Sequence, residues 1–196
     1  YGIHPVTLAL KNKNRVIKEL WLTNSAAGEF EIPKDIPFRI VDRSQIESVV
    51  GKEAVHQGVA LKTAPLKPYS IDDLLADTEN DDKALVVILD QVTDPHNIGA
   101  IMRSSVAFKA KAVIIPDAGA PEETGTLAKS ASGALELIPL IKVSNLARSM
   151  EALKKAGFWC VGMDGYAKES LNAHKLPQKC VIVMGSEGDG LRRLTA

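Results

Sequence analysis

The stretch "VVILDQVTDPHNIGAIMRSSVAF", residues 86–108, begins as one kind of structure and ends as another. An apolar run enters Asp90, a polar turn carries Gln91 to His96, and a helix-like segment follows with a single arginine, Arg103. A buried strand followed at once by a turn and a helix is the half-unit of a parallel sheet. The same alternation continues outward. Apolar runs "ALVVILD", "AVIIPD", "LIPLIKV", "FWCVGMD" and "CVIVMG" are separated by helical stretches such as "TGTLAKSASGAL" and "LARSMEALKKAG". Residues 84–196 therefore read as an α/β domain, a parallel sheet covered on both faces. In such sheets ligands bind at the carboxyl ends of the strands, where residues 90–97 lie.

Upstream the texture differs. Residues 1–64 hold short elements: a helix near "HPVTLALKN", strands "ELWLT", "FRIVD" and "GVALKT", and a helix "RSQIESVVG". They read as a small α/β domain whose basic cluster Lys11, Lys13, Arg15 and Lys18 is a candidate for phosphate contact, or an ordinary solvated face. Between the two, residues 65–83 carry prolines, acidic residues and one amphipathic turn, "IDDLLA", and read as a linker.

The bulk numbers exclude more than they assign. The 196 residues are 45% hydrophobic and 24% charged, with 24 Lys and Arg against 24 Asp and Glu, so no global basic charge marks a nucleic-acid partner. No apolar run approaches the roughly 20 residues of a membrane span, and no signal peptide opens the chain. The chain starts at Tyr1 rather than a methionine, as a piece of a longer protein would. Cys160 and Cys180 sit in apolar, strand-like surroundings and read as reduced core thiols of a cytoplasmic protein. Asp90, Asp94 and His96 crowd one turn without a fourth ligand, so no metal site is expected. His56 and His174 belong to no constellation.

Two segments remain as carriers of chemistry. In the first, Asn97 is placed either to cap the helix or to serve a substrate. Arg103 has Gly99, Ala100, Val106 and Ala107 as helix neighbours, so it either stands over a clear floor of small side chains to serve a site or is an ordinary solvated surface arginine. The second is "CVIVMGSEGDGLRRL", residues 180–194, a strand that breaks at a Gly-rich turn before a helical start. Its spacing is neither a dinucleotide fingerprint nor a P-loop, and Glu187 within it would repel a phosphate.

Together "LDQVTDPHNIGAIMRSS" and "VIVMGSEGDGLRRL" resemble the first two signature motifs of the SpoU/TrmH family of RNA ribose 2'-O-methyltransferases. With "AVHQG" near the end of the small domain, the chain looks most like the members that methylate a guanosine of 23S rRNA; relatives acting on tRNA and a non-catalytic RNA-binding homologue are the alternatives. The resemblance implies a carboxyl-terminal trefoil knot, an L30e-like amino-terminal domain, a homodimer, and S-adenosylmethionine as methyl donor. It implies Asn97, Arg103 and Glu187 as catalytic residues, and Gly162, Met163, Asp164, Gly165 and Gly185 as cofactor-binding residues. An arginine is a poor general base, since its pKa exceeds about 12. The preferred role for Arg103 is therefore to stabilise charge developing on the 2'-oxygen. The family's third motif, expected some way after the second, is not found before Ala196. Ser170-Leu171-Asn172 matches its tripeptide but precedes the second motif, and is set aside. A chain lacking that motif should bind cofactor poorly and fail to close its knot.

Overall fold

The computed structural model describes residues 1–165, 167–173, 175–186 and 190–191. The amino-terminal domain follows the order α1 (Ile3–Lys11), β1 (Ile17–Leu22), α2 (Asn24–Ala27), β2 (Phe38–Ile40), α3 (Arg43–Val50) and β3 (Val59–Thr63). Its sheet runs β2-β1-β3, with β1 parallel to β2 and antiparallel to β3. Leu20 and Leu22 alternate onto one face of β1 and are fully buried with Val6 of α1 and Val59 of β3. The four-residue helix α2 is the one addition to the elements expected in this half.

The second domain contains α4 (Ile71–Thr78), β4 (Ala84–Leu89), α5 (Pro95–Ala107), β5 (Ala112–Pro116), α6 (Gly125–Ala131), β6 (Leu140–Val143), α7 (Leu146–Lys155), β7 (Trp159–Met163) and β8 (Lys179–Met184). One-turn 3-10 helices at Ala134–Glu136 and Leu171–Ala173 complete it. The sheet order is β6-β5-β4-β8-β7, and every pairing is parallel. Strand β4 is central and buried on both sides. Val86 and Ile88 face the core formed with Leu74 of α4 and Leu146, Met150 and Leu153 of α7. Val87 and Leu89 face Ile98 and Met102 of α5 and Leu127 and Ala131 of α6. A strand buried on both faces reads as an unbroken apolar run, which is why the alternation was visible in sequence.

The amphipathic turn of the linker is a full helix, and one expectation about the sheet needs correction. The segment read as a linker contains α4, whose start is fixed by Ser70: its Oγ accepts from the Asp73 amide at 3.1 Å, and its own amide donates to Asp73 Oδ2 at 2.8 Å. Leu74 is 1% exposed in the sheet core, and Lys179 Nζ donates to the Thr78 carbonyl at 2.8 Å, closing the helix's far end. The acidic, Pro-flanked composition concealed one buried leucine face. Strand β7, expected to be covered on both faces, is an edge strand. Cys160 packs into the α4–α7 core, but Trp159 is 69% and Met163 37% exposed, because α5 and α6 lie over the other half of the sheet.

Candidate functional site

The pairing of β4 with β8 sets Leu89 beside Met184, and the Asp90 amide donates to the Met184 carbonyl at 2.7 Å. The turns leaving both strands therefore start side by side. On the other side of β8, Met163 of β7 pairs with Met184. The three segments singled out in sequence thus converge on three neighbouring carboxyl ends, at the place in the sheet where a late strand is inserted between two earlier ones.

The first turn is built for a sharp reversal. Asp90 is fully buried, and Gln91 takes a left-handed conformation at φ 63°, uncommon for a residue with a side chain. Asp94 caps α5, its carboxylate accepting from the His96 amide at 2.9 Å, and Pro95 occupies the first helical position. Asn97 is not the cap. It lies in the helix's first turn, exposed, and its side chain has no hydrogen bond among the described residues. A capping role is therefore not the reason for an asparagine at this position.

Arg103 is also exposed, and no carboxylate or hydrogen-bond acceptor among the described residues engages it. The expected clear floor beneath it is partly filled. A Cβ on Gly99 would lie 2.6 Å from the Ala131 amide nitrogen and from Ser130 Cβ, so this glycine exists to let α6 approach. Ser130 Oγ donates to the His96 carbonyl at 3.0 Å, adding a polar tie at the same crossing. Asn97 and Arg103 are six residues apart, about 9 Å along the axis and about a third of a turn around it. Side chains on a helix tilt toward its amino terminus, the end of α5 that lies next to the carboxyl end of β4.

The residues assigned to a cofactor lie at the ends of β7 and β8. Met163, Asp164 and Gly165 are exposed, and a Cβ on Gly165 would meet nothing within 4 Å. Gly162 would bring a Cβ to 2.9 Å from Leu191 Cδ1. Gly185 has a packing reason of its own: a Cβ there would lie 2.1 Å from the Gly190 carbonyl carbon, where the chain returns in a bridge between Ser186 and Gly190. Glu187 lies outside the described residues.

The basic cluster is corrected in part. Lys11, Lys13 and Lys18 are exposed, but Arg15 is 7% exposed and unavailable to phosphate. It is paired with Glu136 at 2.6 Å and with Glu123, both in the second domain. Burial opposes its charge, but the hydrogen bonds to Glu136 and Glu123 outweigh this and raise its pKa above the usual value. Gln57 of the "AVHQG" segment is a second residue whose role sequence reading missed. Its Oε1 accepts from the Ile3 amide at 3.2 Å and from Lys129 Nζ of α6 at 2.8 Å. Among the described residues no group of three or more His, Cys, Asp or Glu could hold a metal, and no helix is long and apolar enough to cross a membrane. Cys160 and Cys180 are both free thiols, each with its pKa raised chiefly by burial.

Comparison with known proteins bears on the whole chain. Residues 84–196 match the SpoU rRNA Methylase family, and residues 1–69 match the RNA 2'-O ribose methyltransferase substrate binding family. Relatives described as 23S rRNA (guanosine-2'-O-)-methyltransferase RlmB include that of Photobacterium profundum, 39% identical over 202 residues, with 100% of this chain and 82% of the relative covered. Another, from Escherichia coli, is 35% identical over 202 residues, covering 100% and 83%. Among solved structures, the SpoU methyltransferase AviRb from Streptomyces viridochromogenes in complex with AdoMet matches with TM-score 0.76 at 22% identity, covering 98% of this chain and 74% of that one. An AdoMet-bound rRNA methyltransferase from Sinorhizobium meliloti matches with TM-score 0.74 at 20% identity, covering 97% and 71%.

Proposed function

This chain belongs to the SpoU rRNA methylase family, and we propose that it transfers a methyl group from S-adenosylmethionine to a ribose 2'-hydroxyl of 23S rRNA, on a guanosine. The observation that carries the reading is a pair of polar side chains that have no hydrogen-bond or ion-pair partner among the described residues. Asn97 and Arg103 stand exposed on the helix that follows the central strand, whose carboxyl end is paired with that of β8.

The described residues fit the methyl donor. The end of β7 offers an open backbone at Gly165 and an exposed Met163, and Gly185 lets the chain double back tightly beside it. Such exposed strand ends suit a nucleoside held by main-chain groups and apolar contact. We assign Gly162, Met163, Asp164 and Gly165 to its contact, and Gly185 to shaping the wall of the turn. The donor supplies an electrophilic methyl group on a sulfonium. The protein's task is then alignment of the 2'-oxygen and stabilisation of the charge that develops on it. Arg103, a guanidinium free to fork onto oxygens, engages an RNA phosphate and that oxygen together. Asn97 and Glu187 hold the arginine and the hydroxyl in place.

We further read residues 1–64 as an L30e-like RNA-binding domain, residues 65–83 as the connection, and residues 84–196 as the methyltransferase domain. A carboxyl-terminal trefoil knot, to be closed by the third-motif segment not found before Ala196, is in keeping with the insertion of β8 between β4 and β7. A homodimer is supported by the apolar surface that Trp159 exposes on β7, and we read the protein as cytoplasmic from its rRNA substrate.

The test is Arg103→Ala, assayed by transfer of labelled methyl to 23S rRNA. Turnover should fall by roughly 10²-fold or more. RNA binding should largely persist, and stability should stay within about 0.5 kcal/mol, since the side chain is exposed. Equal activity in the variant would sink the assignment.

A further inference from the structure

Helix α6 touches both halves of the molecule. On one side it receives the amino-terminal domain. The Tyr1 ring packs on Gly125, where a Cβ would meet it at 2.8 Å, and Lys129 donates to Gln57 at 2.8 Å. Just beyond the helix, Leu8 fills the space beside Gly133, where a Cβ would lie 2.1 Å from Leu8 Cδ1. At the centre of this joint is Arg15. Its Nε and Nη2 fork onto Glu136 at 3.2 and 2.6 Å, Nη1 reaches Glu123, and Nη1 also donates to the Ala64 carbonyl at 3.1 Å. Asn12 Nδ2 adds a bond to Glu136 at 2.7 Å, and Glu123 Oε2 accepts from the Leu66 amide at 3.1 Å. On its other side α6 presses Ser130 and Ala131 onto Gly99 of α5, and Ser130 holds the carbonyl of His96, the residue before Asn97.

We propose that Arg15 is a positioning residue for methyl transfer, fixing the RNA-holding domain to the segments on either side of α6, through Glu123 before it and Glu136 after it, so that the bound ribose is presented in register with Asn97 and Arg103. The inference rests on the methyltransferase reading above. Its physical basis is that residues 123–136, α6 with its two flanks, are the common mount of the substrate domain and of the catalytic helix. A guanidinium with two carboxylates and a carbonyl in fixed directions constrains the angle between domains as well as their contact. An apolar contact of equal area would let the domain slide. Gln57 is the second point of the same mount, so the joint resists rotation about the arginine.

The experiment compares the full chain carrying Arg15→Lys, Gln57→Ala, or both, in steady-state methylation of a 23S rRNA fragment. Arg15→Lys keeps the positive charge between the glutamates but loses the fork, so the chain stays folded. Each single variant should lower kcat by about tenfold, the order expected when reacting groups are slightly misplaced. KM for RNA should stay within about twofold, because the RNA-contacting surface is unchanged. The double variant should lose less than the product of the single losses, since both changes loosen one joint. Circular dichroism and S-adenosylmethionine titration should match the unmodified chain. Unchanged kcat in both single variants, or loss only in proportion to the unfolded fraction, would overturn the proposal. An Arg103→Ala variant that remains active would instead overturn the methyltransferase reading on which it stands.

Discussion

Gly99→Ala puts a number on the crossing of α5 and α6. An alanine at a helix interior is ordinarily preferred to glycine by about 1 kcal/mol, so a helix considered alone would be strengthened. Here the new Cβ would sit 2.6 Å from a backbone nitrogen of α6, where ordinary contact begins at 3.4 Å. A backbone atom cannot rotate away, so the two helices must separate. Overpacking of this kind costs about 1–3 kcal/mol, and separating the helices also strains the Ser130–His96 hydrogen bond, worth about 1 kcal/mol. After the propensity gain, the net loss is about 2 kcal/mol. For a chain of this length that is about 4–8 °C in melting temperature, measured by circular dichroism. Gly165→Ala, with nothing within 4 Å of its Cβ, is the control and should fall within about 0.5 kcal/mol of the unmodified chain. A Gly99→Ala protein that melts higher than the parent would refute the argument, since propensity would then be the deciding term.

Asn97→Ala should leave the urea midpoint almost unchanged, whereas Asp94→Ala should lower stability by about 1 kcal/mol, because Asp94 is the cap; in the methylation assay the ranking should reverse. His56 is 1% exposed, its Nδ1 accepts from the Gly58 amide at 3.1 Å, and burial, then the charge of Arg43, pushes its pKa below the usual 6.5. The unfolded chain then takes up a proton that the folded chain refuses, so stability falls as pH drops below about 6.5. Urea midpoints at about pH 7.5 and 5.5 should therefore differ more for the parent than for His56→Gln, and equal differences would remove His56 from the account.

The sheet domain was legible because its strands are buried on both faces and its helices are amphipathic, patterns that depend only on near neighbours in sequence. The exposure of Arg103 was legible for a related reason: a long charged side chain follows small ones on a helix that otherwise packs. What escaped was set by distant partners. Arg15 read as one of four basic residues, and nothing near it announced Glu136, 121 residues away. Gly99 read as part of a clear floor, because the helix occupying that floor could not be located from sequence. Trp159 read as core because an edge strand and a central strand have the same composition until their neighbours are known.

The position of β8 also dictates when the site can exist. Strands β4, β5 and β6 pair with one another and are made in that order, so that half of the sheet can zip as it is synthesised. Strand β7 has no neighbour except β8, which must find its slot beside a strand made almost a hundred residues earlier. Such long-range parallel pairing is slow. The last insertion is also the one that brings the turn of β4 against the turn of β8. A molecule stalled before it would have much of its secondary structure and no assembled site, so methylation activity reports completion of the sheet more strictly than helical content does.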